Sequence, residues 1–103
     1  MKYQLVLQLP SSSSTHDYDR LISIEETIRN GLGDLGVVDG HDIGSGEMNV
    51  FVHTDDPKLA FERSRVLLSG RGDLQELTAG YRDFDEDEYI PIYPEGLRQF
   101  SVI

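Results

Sequence analysis

Three histidines, scattered amides and nineteen carboxylates are the groups of this chain that could move a proton or hold an ion, and there is no cysteine. The most suggestive set flanks a glycine-rich segment. If Gly44, Ser45 and Gly46 form a three-residue hairpin loop, with Gly46 in the left-handed region, Ile43 stands opposite Glu47, His41 opposite Asn49, Asp39 opposite Phe51 and Val37 opposite His53. Side chains in such a ladder alternate between faces, so these eight share one face. As chemistry, His41 is an acid or base near neutral pH, Asn49 orients a bound group and Asp39 tunes the imidazole. As a binding patch, Phe51 gives apolar contact area beside His41 and His53. A solvated sheet face carrying one exposed aromatic uses the same residues and stands as the third reading.

Other clusters yield less. His41 and His53 lie several rungs apart, too far for one ion whose ligand bonds are about 2 Å. A set built on His53, Asp55 and a third ligand from elsewhere remains, whereas Asp56 before Pro57 is explained as a helix cap. The run Gly40 to Gly46 joins two strands and has neither the dinucleotide fingerprint nor the Lys and hydroxyl of a phosphate loop. Ser11 to Thr15 beside His16 and Asp17 holds the residue types of a hydrolase triad. Without a Gly-x-Ser-x-Gly elbow it reads as a loop that caps the first helix through Ser14 or Asp17. The lack of cysteine removes thiolate nucleophiles, disulfides and thiolate-bound metals. No metal and no cofactor is expected.

The densest charge is Asp83, Asp85, Glu86, Asp87 and Glu88, flanked by Phe84 and Tyr89. It lacks the spacing and central glycine of a calcium loop. It is either a solvated loop or a docking surface for a basic protein, in which Phe84 and Tyr89 give the contact area.

The elements that must position these groups follow from periodicity. Tyr3, Leu5, Leu7 and Leu9 alternate with Lys2, Gln4, Val6 and Gln8 as in a strand with one face on a core, stopped at Pro10. Tyr18, Leu21, Ile22, Ile24, Ile28 and Leu32 predict a helix over 16–31, ended by Gly31, Gly33 and Gly36. Strands over 36–43 and 47–53 follow, with Val38, Met48, Val50 and Val52 on one face. A second helix runs from Pro57 to about Leu68, its stripe formed by Leu59, Ala60, Arg63, Val66 and Leu67. A fourth strand spans Leu74 to Arg82 with Leu77, Ala79 and Tyr81 inward, and Tyr89 to Tyr93 is an irregular edge element because Pro91 and Pro94 forbid a central strand. The expected core is Leu5, Leu7, Ile24 or Ile28, Val38, Val50, Val52, Val66, Leu67 and Leu77.

The order βαββαβ predicts one α+β domain over 1–103: a four-stranded antiparallel sheet under two helices, with ferredoxin-like topology over 2–82 and a C-terminal extension over 83–103. That topology hosts many unrelated activities and assigns none.

With nine Lys and Arg against nineteen Asp and Glu, the formal charge of −10 repels nucleic-acid backbones and anionic membranes. Neither is expected as a partner; a basic protein is. The first apolar run is too short for a signal peptide or a membrane span, and a cytoplasmic location is expected. The leading expectation is a non-enzymatic interaction or regulatory domain of inhibitor or immunity type. The alternative is a small-molecule domain or minor enzyme working on the hairpin face. A homodimer through the helix-free face, carrying Val6, Val37, Ile43 and Phe51, competes with a fold-back of Tyr89 to Tyr93 or of the tail Phe100 to Ile103 over the same surface.

Overall fold

The computed structural model describes residues 1–12, 15–72 and 74–102. The strands are β1 (Tyr3–Pro10), β2 (Val37–Gly44), β3 (Glu47–Thr54), β4 (Thr78–Asp83) and β5 (Ile90–Tyr93), and the helices are α1 (Thr15–Gly31) and α2 (Pro57–Ser69). They form a five-stranded antiparallel sheet in the order β2-β3-β1-β4-β5. The expected edge element is thus a true fifth strand, short and bulged beside β4. No helix among the described residues is long and apolar enough to cross a membrane.

The alternation of β1 decides the layers. Leu5, Leu7 and Leu9 face the helices beside Val52, Val50 and Met48, and all six are buried. From α1 come Leu21, Ile24, Ile28 and Leu32, spaced by three and four as an amphipathic helix requires. The two helices meet where the side chain of Leu67 lies against Gly31, whose carbonyl accepts from Arg63 Nε at 3.0 Å. Asp56 caps α2 as expected, accepting from the Leu59 amide at 3.1 Å with Pro57 in the first turn.

The stripe of α2 is rotated from the expected one. Pro57, Ala60, Phe61, Ser64 and Leu68 are buried, whereas Leu59 and Val66 are exposed. Ser64 tolerates the interior because its hydroxyl donates to the Ala60 carbonyl at 2.8 Å, leaving no unmet polar atom. Phe61 packs on the Tyr93 ring, with centroids 5.3 Å apart, so the fifth strand lays an aromatic on the helix layer. Strand β4 starts at Thr78, later than expected, because residues 74–76 form a turn, though Leu77 and Ala79 are buried as foreseen.

The opposite face of the sheet is half covered. The tail crosses β1 and β4, with the Phe100 ring seated on Gly80 so closely that an added Cβ would lie 2.5 Å from its Cδ1. Tyr89 packs edge-on against Phe100 at 5.4 Å. The fold-back therefore occupies this part of the surface, although Ile103 lies outside the described residues. Among the described residues the β2 side of the face has no such cover, and Val37 stands exposed there.

Candidate functional site

The hairpin that was to hold the site closes differently from the three-residue loop. Gly44 pairs with Glu47, leaving Ser45 and Gly46 as a two-residue loop, both at positive φ (54° and 83°) as a type I′ turn requires. The register then moves by one: Ile43 pairs with Met48, Asp42 with Asn49, His41 with Val50 and Gly40 with Phe51. A bulge between Val38 and Gly40 absorbs one residue, and Val37 pairs with His53 as expected.

This shift divides the expected constellation. His41 and Ile43 lie on the helix side, not on the open face with Asn49. The His41 Nδ1 sits 2.8 Å from Oε2 of the buried Glu25 on α1, and Glu25 Oε1 lies 3.3 Å from Arg29. A carboxylate so placed can accept from Nδ1–H, whether or not the ring is charged. The Tyr18 ring meets the imidazole edge-on at 6.0 Å. Asp39 pairs instead with His53, its Oδ2 lying 3.4 Å from Nε2. Asn49 is fully buried on the far side of the sheet from His41. A catalytic set of His41, Asn49 and Asp39 is therefore not assembled.

On the helix-free face two clusters form. The first is amide-rich and lies beneath the tail. Gln8 Nε2 lies 2.9 Å from Glu47 Oε2, 3.0 Å from Asn49 Oδ1 and 2.9 Å from the Ser101 carbonyl. Asn49 Nδ2 also donates to Glu47 Oε2 at 2.9 Å, and the Thr78 hydroxyl donates to Gln8 Oε1 at 3.3 Å. Neither Gln8 nor Glu47 was singled out from the sequence as functional. The signal was present in the alternation, which puts Gln8, Glu47 and Asn49 on one face.

The second cluster is aromatic. The His53 ring stands edge-on to Phe84 at 4.8 Å, and Phe51 lies two residues along the same face of β3. The Arg82 guanidinium lies over both Phe84 and Tyr89, 5.5 and 5.8 Å from the ring centroids. It also donates to Gln4 Oε1 at 3.0 Å, an oxygen that accepts the Tyr89 hydroxyl at 2.8 Å. The expected binding residues Phe51, His53, Phe84 and Tyr89 thus belong to one face, and His41 does not. Arg82 and Gln4, which join them, escaped notice because a strand cation next to an acidic loop reads as solvated.

At the end of this cluster the Lys2 ammonium lies 3.5 Å from Asp83, and its backbone N–H donates to Asp55 Oδ1 at 3.1 Å. Lys2 is held above the usual lysine range first by the charge of Tyr3, then by that of Asp83. Asp55 is thereby engaged with the Lys2 amide, and no group of three His, Asp or Glu side chains among the described residues converges on a metal position. In the serine loop, Asp17 accepts from the Ser12 amide at 2.8 Å and the Ser11 hydroxyl at 3.0 Å, pinning the loop to α1. Ser13, Ser14 and the side chain of Thr15 lie outside the described residues.

The principal clefts avoid His41. One of about 560 Å³ separates the tail from residues 87–89, and another of about 310 Å³ opens between the tail and Gln8, Glu47 and Thr78. A third, about 400 Å³, lies among Tyr3, Tyr81 and Ile90 with Asp83, Glu86 and Glu88 on its rim. Comparison with protein-family models, with curated proteins and with solved structures found no match.

Proposed function

We propose that this chain is a small acidic interaction domain of inhibitor or immunity type, which binds a basic protein on the uncovered half of its sheet. One observation carries the reading: Val37, Phe51, His53 and Phe84 make a contiguous apolar and aromatic surface bordered by carboxylates. Val37 and Phe84 are exposed, Asp39 lies 3.4 Å from His53, and Asp42, two residues past Gly40 on β2, and Asp85, next to Phe84, are exposed as well. The nearby cations are already engaged, Lys2 with Asp83 and Arg82 with Gln4 and the carbonyls of Phe84 and Glu86. Apolar anchors inside an anionic rim favour a partner with exposed basic and apolar residues, the charges steering encounter and the anchors supplying affinity.

The strand and helix order supports a ferredoxin-like reading of β1 to β4, with β5 and the tail as additions that narrow the free face. The alternative of an enzyme on the hairpin face loses its support once His41 and Asn49 lie on opposite sides of the sheet. A basic partner fits better than a second copy, since two such rims would meet as like charges. Nucleic acid is disfavoured on the same ground.

The test is affinity capture from lysate with wild type and Phe51→Lys, the variant first shown to be folded by circular dichroism. A basic protein retained by wild type, lost with Phe51→Lys and released by about 0.5 M salt supports the reading. Identical capture by the two proteins removes it.

A further inference from the structure

The two edges of the sheet are built differently, and the difference bears on how a partner is held. The β5 edge has only four residues, with Pro91 within it and Pro94 directly after it, the features by which proteins keep an edge from pairing. The β2 edge is eight residues long and has no proline; it too carries a bulge, between Val38 and Gly40, but pairs regularly with β3 from Gly40 to Gly44. Alternate residues of an antiparallel strand turn their N–H and C=O groups outward, so β2 presents a row of donors and acceptors that no other strand pairs with among the described residues. Its own carboxylates, Asp39 and Asp42, deter pairing with a second acidic copy.

We infer that the edge of β2 takes up an extended segment of the basic partner as a sixth strand, with basic and apolar side chains alternating along that segment. This rests on the interaction reading above and specifies its mode. An added strand presents one set of side chains to each face. On the helix side they meet His41 and the exposed Ile43 of β2, with the exposed Tyr18 ring edge-on to His41. On the other side they meet Asp42 and, at the bulge, Asp39, with Gly40 and Gly44 leaving open space. The structure thus fits apolar residues on the helix side and Lys or Arg on the other, with a period of two. Residues 33–46 contain no Lys or Arg to compete for those carboxylates.

The probe is an alternating Lys/Val peptide of about eight residues, matched to the length of β2, and a control of the same sequence N-methylated at every residue, which keeps the charge but has no backbone donor on either edge. Binding is followed by amide hydrogen exchange and by calorimetry. The inference expects new protection confined to amides of residues 37–44 and at least about tenfold weaker binding of the methylated peptide. Asp42→Lys is expected to weaken the parent peptide about tenfold, while Asp87→Lys, an equal change of charge across the sheet, stays within about twofold. Equal binding of the two peptides, protection elsewhere, or no binding at all overturns the edge inference. If the capture that depends on Phe51 persists after such a result, the interaction domain stands and only its mode is wrong. If that capture also fails, both fall.

Discussion

The helix-free face has two halves with opposite rules. Beneath the tail, side chains that read as wet are dry: Asn49 is 0% exposed, and Glu47 is buried with it. Beyond the tail, apolar side chains of the same face stay wet, with Val37 56% exposed. Both halves belong to one sheet and obey the same alternation. What separates them is nine residues of irregular chain, 94–102, which cover one half and stop short of the other. Burial here is decided by what crosses a strand, and the polar residues of the covered half persist because they satisfy one another.

The largest effect expected from this division is at Val6, which is fully buried on the covered side. Val6→Lys places an ammonium where neither water nor a carboxylate is adjacent in the register, and several kcal/mol of destabilisation, enough to unfold a domain of this size, is expected. Circular dichroism and a denaturant titration give the result directly. A folded Val6→Lys protein would show that the tail is a loose cover and that the two halves are alike.

Next comes Asn49→Leu, similar in volume but unable to donate to Glu47 or accept from Gln8. Leaving those groups under-satisfied beneath the tail costs about 2–3 kcal/mol, read from the denaturant midpoint. Asp42→Asn, whose Cα pairs with Asn49 from the uncovered strand, is expected to change stability by no more than about 0.5 kcal/mol. Equal losses at the two positions would erase the contrast between the halves.

A smaller loss is expected from Gly80→Val, which acts on the cover itself. The new Cβ would meet Phe100 Cδ1 at 2.5 Å and Cγ at 2.6 Å, so the ring must leave its seat. Overpacking of this kind costs about 1–3 kcal/mol, partly offset by the strand preference of valine. With Phe100→Ala the combined loss should be less than the sum, because both changes undo one contact. Additive losses would mean that Gly80 is constrained by something other than the tail.

Much of this arrangement was legible in the residues. The alternation of β1 and β3, the Asp56–Pro57 cap, the acidic loop and the proline-limited edge follow from local chemistry that the tertiary structure leaves intact. The site was less legible, for a specific reason. A two-residue and a three-residue loop fit the same Gly-Ser-Gly, and in a period-two ladder one residue moves His41 from one face to the other. The bulge at Asp39 then restores the register at Val37, so the error is confined to the stretch that carries the histidine. The rotated stripe of α2 has a different origin: Ser64 meets its need within its own turn and can be buried, which frees Val66 to face out. Pairwise contacts such as Gln8 to the Ser101 carbonyl have no local signature, being 93 residues apart.

A small effect is also expected at Phe51, and it locates the boundary between the halves. Phe51 and Val6 are directly paired residues of β3 and β1 on the same face, yet Val6 is fully buried while Phe51 is only partly so. Across β3, Phe51 is paired with Gly40, which has no side chain to shield it. In Phe51→Lys the aliphatic stem can lie along the surface the ring now covers while the ammonium reaches water among the carboxylates of Asp39 and Asp42. The lost aromatic contact and the relieved acidic repulsion oppose each other, and a net change below about 1 kcal/mol is expected. The same substitution at Val6 should unfold the chain, so the pair measures the step in burial across a single rung. If Phe51→Lys costs more than about 2 kcal/mol in a denaturant titration, its ring belongs to the covered half. The surface free for a partner then shrinks to Val37, His53 and Phe84.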